Sequence, residues 1–297
     1  MSAAWGPAEM DGSAGIPWTP AAARRSRFDH RVRSRLTGWL LGTLTAGFML
    51  YQWLPILTLS LLSFSGENGG TTFPMNGVSL HWYRELWDAS IMNDFKPPLG
   101  RSFLLALACA VTTCILSVAA AQAMRGRFRG HDLFFYLILL GIMAPGLLVG
   151  FGFALLCRIL GIETAWNTTA YLVHVSWALP FGFLTMLAIF NRFDAKLEEA
   201  ALTLGASRWT AFRRVTLPIV LPGVIGTLLF GFSLSYDEFA RSMFTTGADI
   251  TLPLAVMAQL DRQLTPELYA IGTATTAASL LAILGTTATL WLLRRRR

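Results

Sequence analysis

The chain has 297 residues, of which 54% are hydrophobic and 14% charged, and its formal net charge is +7. Six long apolar runs in so short a chain leave too little polar surface for a soluble domain. A transmembrane β-barrel is excluded as well, because its strands alternate apolar and polar residues and these runs are continuously apolar. The sequence therefore predicts an all-α integral membrane protein, in which helices satisfy the backbone polar groups.

Residues 1–37 are polar, rich in Gly, Pro and Ala and then in Arg, and they predict a disordered N-terminal tail. Residues 38–294 predict a transmembrane domain of six helices, because each apolar run exceeds the roughly 20 residues that a bilayer requires. The predicted spans are 39–64, 102–124, 133–157, 164–190, 215–236 and 268–293.

The positive charges are distributed unevenly among the connections. Of the 24 Lys and Arg residues, 18 lie in the N-terminal tail, between spans two and three, between spans four and five, and at the C-terminus. The positive-inside rule therefore predicts that both termini are cytoplasmic. This topology accounts for the basic charge, so we expect contacts with membrane lipid and none with nucleic acid.

Two connections on the outer side are long. Residues 65–100 predict a loop with a short interfacial helix around Trp82 to Trp87, and Asp237 to Glu267 predict an external connection of mixed charge. Within the spans, Pro145 interrupts the third run, and Gly146 and Gly150 form a small-xxx-small pair that permits close helix packing.

The sequence offers little chemistry for an enzyme. Its four histidines are scattered, and neither of its lysines follows a glycine as in a phosphate-binding loop. Only His174 lies within a span, where a polar side chain is a functional candidate, although a hydrogen bond to a neighbouring helix explains it equally well. We therefore expect no catalytic residue, metal or cofactor on this chain, and any ATP hydrolysis on another subunit.

The connection 191–214 contains two short predicted helices. Asp194 can cap the first helix, and Gly205 can end it by adopting a positive φ angle. Ser207 can cap a second helix, on which Trp209 and Phe212 form an apolar patch three residues apart. Two interpretations remain open: an amphipathic hairpin lying on lipid headgroups, or a docking element for a soluble partner.

The same connection resembles the EAA loop of permease subunits in binding-protein-dependent ABC importers. The motif that carries the resemblance is Glu199-Ala200-Ala201, Gly205 and Val215-Thr216-Leu217-Pro218. A second segment is similar to the region after the fifth span in polyamine-type permeases. It comprises Ser235, Asp237, Glu238, Phe239 and Thr251-Leu252-Pro253.

The resemblance implies a type I importer permease in the bacterial inner membrane, with cytoplasmic coupling helices between spans four and five. The implied partners are a second, paralogous permease, an ATPase dimer that holds ATP and Mg²⁺, and an extracytoplasmic solute-binding protein. The implied solute is a polyamine such as spermidine or putrescine.

The resemblance also assigns roles to individual residues. The implied ATPase-coupling residues are Glu198, Glu199, Ala200, Ala201, Gly205, Ala206, Trp209, Phe212 and Pro218. Three others are candidates for the solute path or for contact with a partner: His174, Asp237 and Glu238. The alternatives are an ion-coupled secondary transporter or a non-transport membrane scaffold. The first usually requires carboxylates within the membrane, and none lies well inside the six runs.

Overall fold

The computed structural model describes residues 20–68, 70–88, 95–126, 128–261 and 264–295. Throughout these residues the regular elements are helices, and one isolated bridge joins Ser65 to Val78. The helices are α1 Pro20–Leu62, α2 His81–Asp88, α3 Lys96–Ala123, α4 His131–Met143, α5 Gly146–Ile159, α6 Tyr171–Phe190, α7 Lys196–Thr203, α8 Arg208–Ala211, α9 Leu217–Tyr236, α10 Ser242–Thr245, α11 Leu252–Leu260 and α12 Pro266–Arg295. Single π-helical turns, Trp166–Ala170 and Phe212–Thr216, lead into α6 and α9. The predicted all-α class is confirmed.

The chain divides into two compact units, residues 1–58 and residues 59–297. The described part of the first unit is the greater part of α1, in which an apolar stretch long enough to cross a bilayer begins at Thr37. The tail predicted as disordered, residues 1–37, is helical from Pro20 onward. Residues 1–19 lie outside the described residues.

Four stretches of the second unit are also long and apolar enough to cross a bilayer. They are Lys96–Ala123, Trp166–Phe190, Arg208–Tyr236 and Pro266–Gly285. These stretches overlap the second, fourth, fifth and sixth predicted spans. With the apolar stretch of α1 they make five, and the bent pair described next makes a sixth if it counts as one crossing.

The third predicted span, residues 133–157, differs from a single helix. It consists of α4 and α5, whose axes are bent by 103° at a short break. Pro145 lies at that break with its backbone extended, at φ −59° and ψ 123°. A proline lacks the N–H group that would continue the helix, and its ring clashes with the preceding turn. The chain therefore changes direction within the third apolar run.

Helices α3, α6 and α9 pack against one another and form the core of the second unit. At one end of this core, Ala121 of α3, Phe183 and Met186 of α6 and Val220 of α9 form a buried apolar cluster. Association of helices in lipid depends on such close packing, because lipid tails are as apolar as the side chains. These three helices are therefore the frame to which the connections attach.

The two connections predicted to lie outside differ in secondary structure and in burial. Residues 81–88 form the expected short helix α2. By contrast, much of the connection predicted at 237–267 is buried in α10 and the residues beside it. The Thr169 hydroxyl donates to the carbonyl of Thr245 over 2.6 Å, and the Leu252 N–H donates to the Ser102 hydroxyl over 2.8 Å. The part of this connection around α10 is therefore packed into the helical core, whereas Asp237 and residues 247–249 are exposed.

Candidate functional site

The first candidate site is the α7–α8 elbow, which we define as residues 194–212. The Asp194 carboxylate accepts a hydrogen bond from the Lys196 N–H over 3.0 Å at the start of α7. Gly205 ends α7 at φ +88°, and its N–H and that of Ala206 donate to the carbonyls of Leu202 and Ala201. This pair of bonds is the Schellman motif, which requires a residue that tolerates positive φ. The predicted cap and stop of this helix are confirmed.

The second arm of the elbow starts with an equally local signal. The Ser207 hydroxyl accepts a hydrogen bond from the Thr210 N–H over 3.2 Å and so caps α8. Beyond this cap, the rings of Trp209 and Phe212 stack with their centroids 5.7 Å apart. Hydrogen bonds between residues close in sequence therefore determine the shape of the elbow. The apolar patch predicted for its second arm is present.

The predicted coupling residues divide by exposure. Glu199, Ala200, Gly205 and Trp209 are exposed, whereas the half-buried members are Glu198, Ala201, Ala206, Phe212 and Pro218. Trp209 exposes 67% of its surface and Leu204, which sequence reasoning did not include, exposes 88%. Large apolar side chains are thus presented to the surroundings at the turn between the two arms.

Glu198 lies on the other side of the elbow, toward the helical core. Its carboxylate is 2.7 Å from Nη1 of Arg125, in the connection that follows α3. Nη1 of Arg125 also donates to the Gln122 side chain over 3.1 Å. The guanidinium lies 5.7 Å from the ring centroid of Phe190 and 5.2 Å from that of Phe193. Glu198 and the adjacent Glu199 of the motif therefore have different surroundings.

A cavity of about 1210 Å³ lies between the elbow and the helical core. Its walls come from α3, α7, α8 and α9 together with the π-helical turn before α9. Leu202 and Trp209 line it from the elbow, and Ile115 and Val224 line it from the core. The elbow therefore stands away from the core along one side and contacts it at particular points, of which the Arg125–Glu198 pair is one.

The second candidate site follows α9 and contains a buried ion pair. The Glu238 carboxylate accepts from Nη1 of Arg241 over 3.0 Å and from the Arg241 backbone N–H over 2.9 Å. The guanidinium lies 3.7 Å from the centroid of the Trp177 ring in α6. Only 6% of the Arg241 side chain and 8% of the Glu238 side chain are exposed. Glu238 is therefore neutralised within its own segment.

The glycine pair of α5 packs against this ion pair. A Cβ atom added to Gly146 would lie 2.6 Å from Nη1 of Arg241, and one added to Gly150 would lie 2.8 Å from its carbonyl oxygen. Separations this short are below van der Waals contact. The two glycines therefore allow the broken helix to contact α10, which gives the small-xxx-small spacing a specific partner that the sequence did not reveal.

His174 is buried and hydrogen-bonded at both ring nitrogens. Nδ1 lies 2.8 Å from the Ser235 hydroxyl and Nε2 lies 2.9 Å from the Ser242 hydroxyl. Because the Ser242 hydroxyl donates its proton to the Glu238 carbonyl, it accepts from Nε2–H, and the Ser235 hydroxyl donates to Nδ1. His174 thus joins α6 to the end of α9 and to α10. Of its two interpretations, a functional side chain or a hydrogen bond to a neighbouring helix, this geometry matches the second.

Asp237, next to the buried pair, is exposed. Partial desolvation by neighbouring residues raises the pKa of its carboxyl group.

Among the described residues, no group of three or more His, Cys, Asp and Glu side chains could hold a metal ion. The candidate residues thus form two sets separated by α9, whose 20 residues span about 30 Å.

Sequence reasoning missed Arg125, Arg241 and Trp177. Arg125 and Arg241 entered the sequence analysis only as counted charges, because their partners are set by tertiary contacts. The Gly146–Gly150 spacing predicted close helix packing but did not identify Arg241 as the partner.

Comparison with known proteins agrees with this geometry. Residues 113–296 match the family model described as binding-protein-dependent transport system inner membrane component. The putrescine transport system permease protein PotI of Escherichia coli K12 is 30% identical over 244 residues, which cover 79% of this chain and 84% of PotI. The spermidine/putrescine transport system permease protein PotC of the same strain is 29% identical over 248 residues, covering 81% of this chain and 91% of PotC.

The fold is shared with a solved structure of a bacterial ABC transporter involved in the import of the acidic polysaccharide alginate. The TM-score is 0.63 at 18% identity, and the match covers 87% of this chain and 96% of the other. The family match extends from the middle of α3 to α12 and includes both candidate sites. The chain therefore belongs to the family of inner-membrane components of binding-protein-dependent transport systems, and it is a multi-pass membrane permease.

Proposed function

We propose that this permease is a subunit of an ATP-driven polyamine importer and that its α7–α8 elbow docks onto a separate ATPase. The observation that carries the proposal is the exposed apolar surface on a capped, two-armed scaffold. Leu204 and Trp209 expose 88% and 67% of their surfaces at the turn. Exposed tryptophans are frequent anchors of protein interfaces, and local caps hold this one in position before any partner binds.

ATP and Mg²⁺ belong to the ATPase in this proposal. The permease sequence contains no glycine-lysine phosphate-binding loop, which supports ATP hydrolysis on a separate subunit. Closure of the ATPase dimer on ATP would displace the elbow, and the helices attached to it would open the solute path alternately to the two sides. Glu199, Ala200 and Gly205 are exposed, and such a partner would contact them.

Docking on a cytoplasmic ATPase also sets the orientation of the chain. The elbow then faces the cytoplasm, and six crossings leave both termini on that side of the bacterial inner membrane. The uneven distribution of Lys and Arg supports this orientation independently. The segment after α9 then lies toward the outer side, where an extracytoplasmic binding protein would deliver the solute.

A polyamine is the proposed solute because PotC and PotI, named for spermidine and putrescine transport, match most of the chain. The fold alone does not choose the solute, since the alginate importer shares it. Asp237 is an exposed carboxylate that can meet a cationic solute, whereas His174 and Glu238 are bonded within the chain, which supports packing roles for them. A second, paralogous permease would complete the path.

Reconstitution of the complete importer in liposomes tests the proposal. We expect ATP-dependent uptake of labelled putrescine or spermidine and no uptake of a neutral sugar. Gly205→Val should abolish uptake while the protein remains inserted, because a β-branched residue is strained at φ +88°. The matched control is Gly226→Val, since a Cβ at Gly226 meets no atom within 4 Å. Full uptake by Gly205→Val would contradict the docking role of the elbow.

A further inference from the structure

The elbow has a covalent connection to only two of the three core helices. It follows α6 and precedes α9 in the chain, so displacement of the elbow acts on these two helices through the backbone. Helix α3, the third helix of the core, is connected to neither arm of the elbow by the chain. A polar contact between α3 and the elbow therefore has a mechanical significance that the other contacts of the elbow lack.

Arg125 and Glu198 supply such a contact. They are 73 residues apart in sequence, and the distance between Nη1 and the Glu198 carboxylate is 2.7 Å. Arg125 follows α3 by two residues, and Glu198 lies in the first turn of α7. A charge-assisted hydrogen bond of this length is among the stronger polar contacts in proteins. It joins the end of α3 to the arm of the elbow that carries the Glu-Ala-Ala motif.

The arginine is held in place before it reaches the elbow. Its Nη1 donates to Gln122 in the last turn of α3, and its guanidinium lies near the rings of Phe190 and Phe193. A guanidinium near two aromatic rings gains cation–π attraction and loses less conformational freedom when it forms an ion pair. Exposure of the side chains is only 21% for Arg125 and 18% for Glu198. The pair is thus better fixed than an ordinary surface ion pair.

Membrane topology does not require this arrangement. Arg129, in the same connection, is exposed and serves the positive-inside distribution without a buried partner. Likewise, Glu199 is exposed beside Glu198, although both carry the same charge. The chain therefore places one member of each charge type at the contact and leaves its neighbour at the surface.

We propose that the Arg125–Glu198 pair is a coupling strut that transmits displacement of the elbow to α3, with Arg125 as the positioning residue. This inference rests on the proposed docking of the elbow onto an ATPase. Without the strut, the elbow would still bind the ATPase and move α6 and α9, but α3 would follow incompletely. ATP would then be hydrolysed with less solute transported per cycle.

The test measures the number of solute molecules transported per ATP hydrolysed by the complete importer in liposomes. We expect Arg125→Gln and Glu198→Gln to assemble with the ATPase and to lower this ratio at least about fivefold, the lower end of typical coupling effects. Arg125→Lys retains the charge without the planar guanidinium, so its ratio should fall between those of wild type and Arg125→Gln. Arg129→Gln is the matched control and should retain the wild-type ratio.

The outcomes distinguish the strut from the docking proposal. A wild-type ratio in both Arg125→Gln and Glu198→Gln overturns the strut, while uncoupling by Gly205→Val would still support docking. A smaller amount of inserted protein with an unchanged ratio per transporter also overturns the strut, because a merely structural contact behaves that way. Failure of the wild-type chain to assemble with its ATPase contradicts docking itself, independently of Arg125.

Discussion

The Arg125–Glu198 pair beside the elbow and the Arg241–Glu238 pair after α9 differ in their surroundings. The Arg241–Glu238 pair joins residues three apart in the same turn, and less than a tenth of either side chain is exposed. The Arg125–Glu198 pair joins residues 73 apart, and about a fifth of each side chain is exposed. Both guanidinium groups lie near aromatic rings.

The difference indicates that similar chemistry performs two tasks. A local, buried pair fixes the shape of its own segment, and removing one partner leaves a charge without compensation in an apolar environment. A pair that joins distant segments and remains partly exposed contributes less to stability, but it determines which elements move together. We therefore expect substitutions at the Arg241–Glu238 pair to affect folding and those at the partly buried Arg125–Glu198 pair to affect coupling.

The largest expected effect is that of Arg241→Ala. This change leaves the Glu238 carboxylate buried without a charged partner, and the free energy of unfolding should fall by about 3–5 kcal/mol. Thermal unfolding in nanodiscs measures it, with the exposed Arg158→Ala as the control. The double variant Arg241→Met/Glu238→Leu should be more stable than Arg241→Ala. Wild-type stability in Arg241→Ala would show that the comparison of the two pairs is wrong.

Trp209→Ala should weaken partner binding and leave stability unchanged, which is the reverse of the pattern expected for Arg241→Ala. Loss of a central aromatic anchor should weaken binding of the cognate ATPase by about 2 kcal/mol, or ~30-fold in Kd, while the unfolding midpoint stays near that of wild type. Equilibrium binding of the purified ATPase to the permease in nanodiscs measures this. Tyr136→Ala is the matched control, since Tyr136 in α4 is also 67% exposed. Equal affinity of the two variants would argue against docking through the elbow.

Gly150→Val should destabilise the buried region by about 1–3 kcal/mol. The new Cβ would lie 2.8 Å from a backbone carbonyl, which is less able to move than a flexible side chain. Gly152→Val, two residues along the same helix, meets no atom within 4 Å and is the control. Similar melting curves for the two variants would show that α5 does not need its close contact with Arg241.

The smallest expected change in stability is that of Glu198→Gln. Because its ion pair is partly exposed, the free energy of unfolding should fall by less than about 1 kcal/mol. The same thermal unfolding assay measures it, and a loss as large as that of Arg241→Ala would remove the distinction between the pairs.

The elements that sequence analysis anticipated are those determined by neighbouring residues. Asp194, Gly205 and Ser207 act through hydrogen bonds to residues two or three positions away, so the two helices of the elbow could be predicted from the sequence. The segment after α9 could not, because its burial depends on contacts with distant helices, such as those of His174 and Thr169. Its polar composition resembles that of a loop, since hydroxyl groups that pair inside a core look the same in a sequence as those that face water.

The hydrogen bonds around His174 determine where this protein can accept an engineered insertion. They run in one direction from Ser235 through the imidazole to Ser242 and on to the Glu238 carbonyl, so they return to the short stretch of chain in which they began. One residue added between Ser235 and Ser242 would lengthen the chain between the two hydroxyls that contact the His174 ring and disturb these hydrogen bonds. A tag or fluorescent probe is therefore better placed near Gly161, in the exposed turn between α5 and α6.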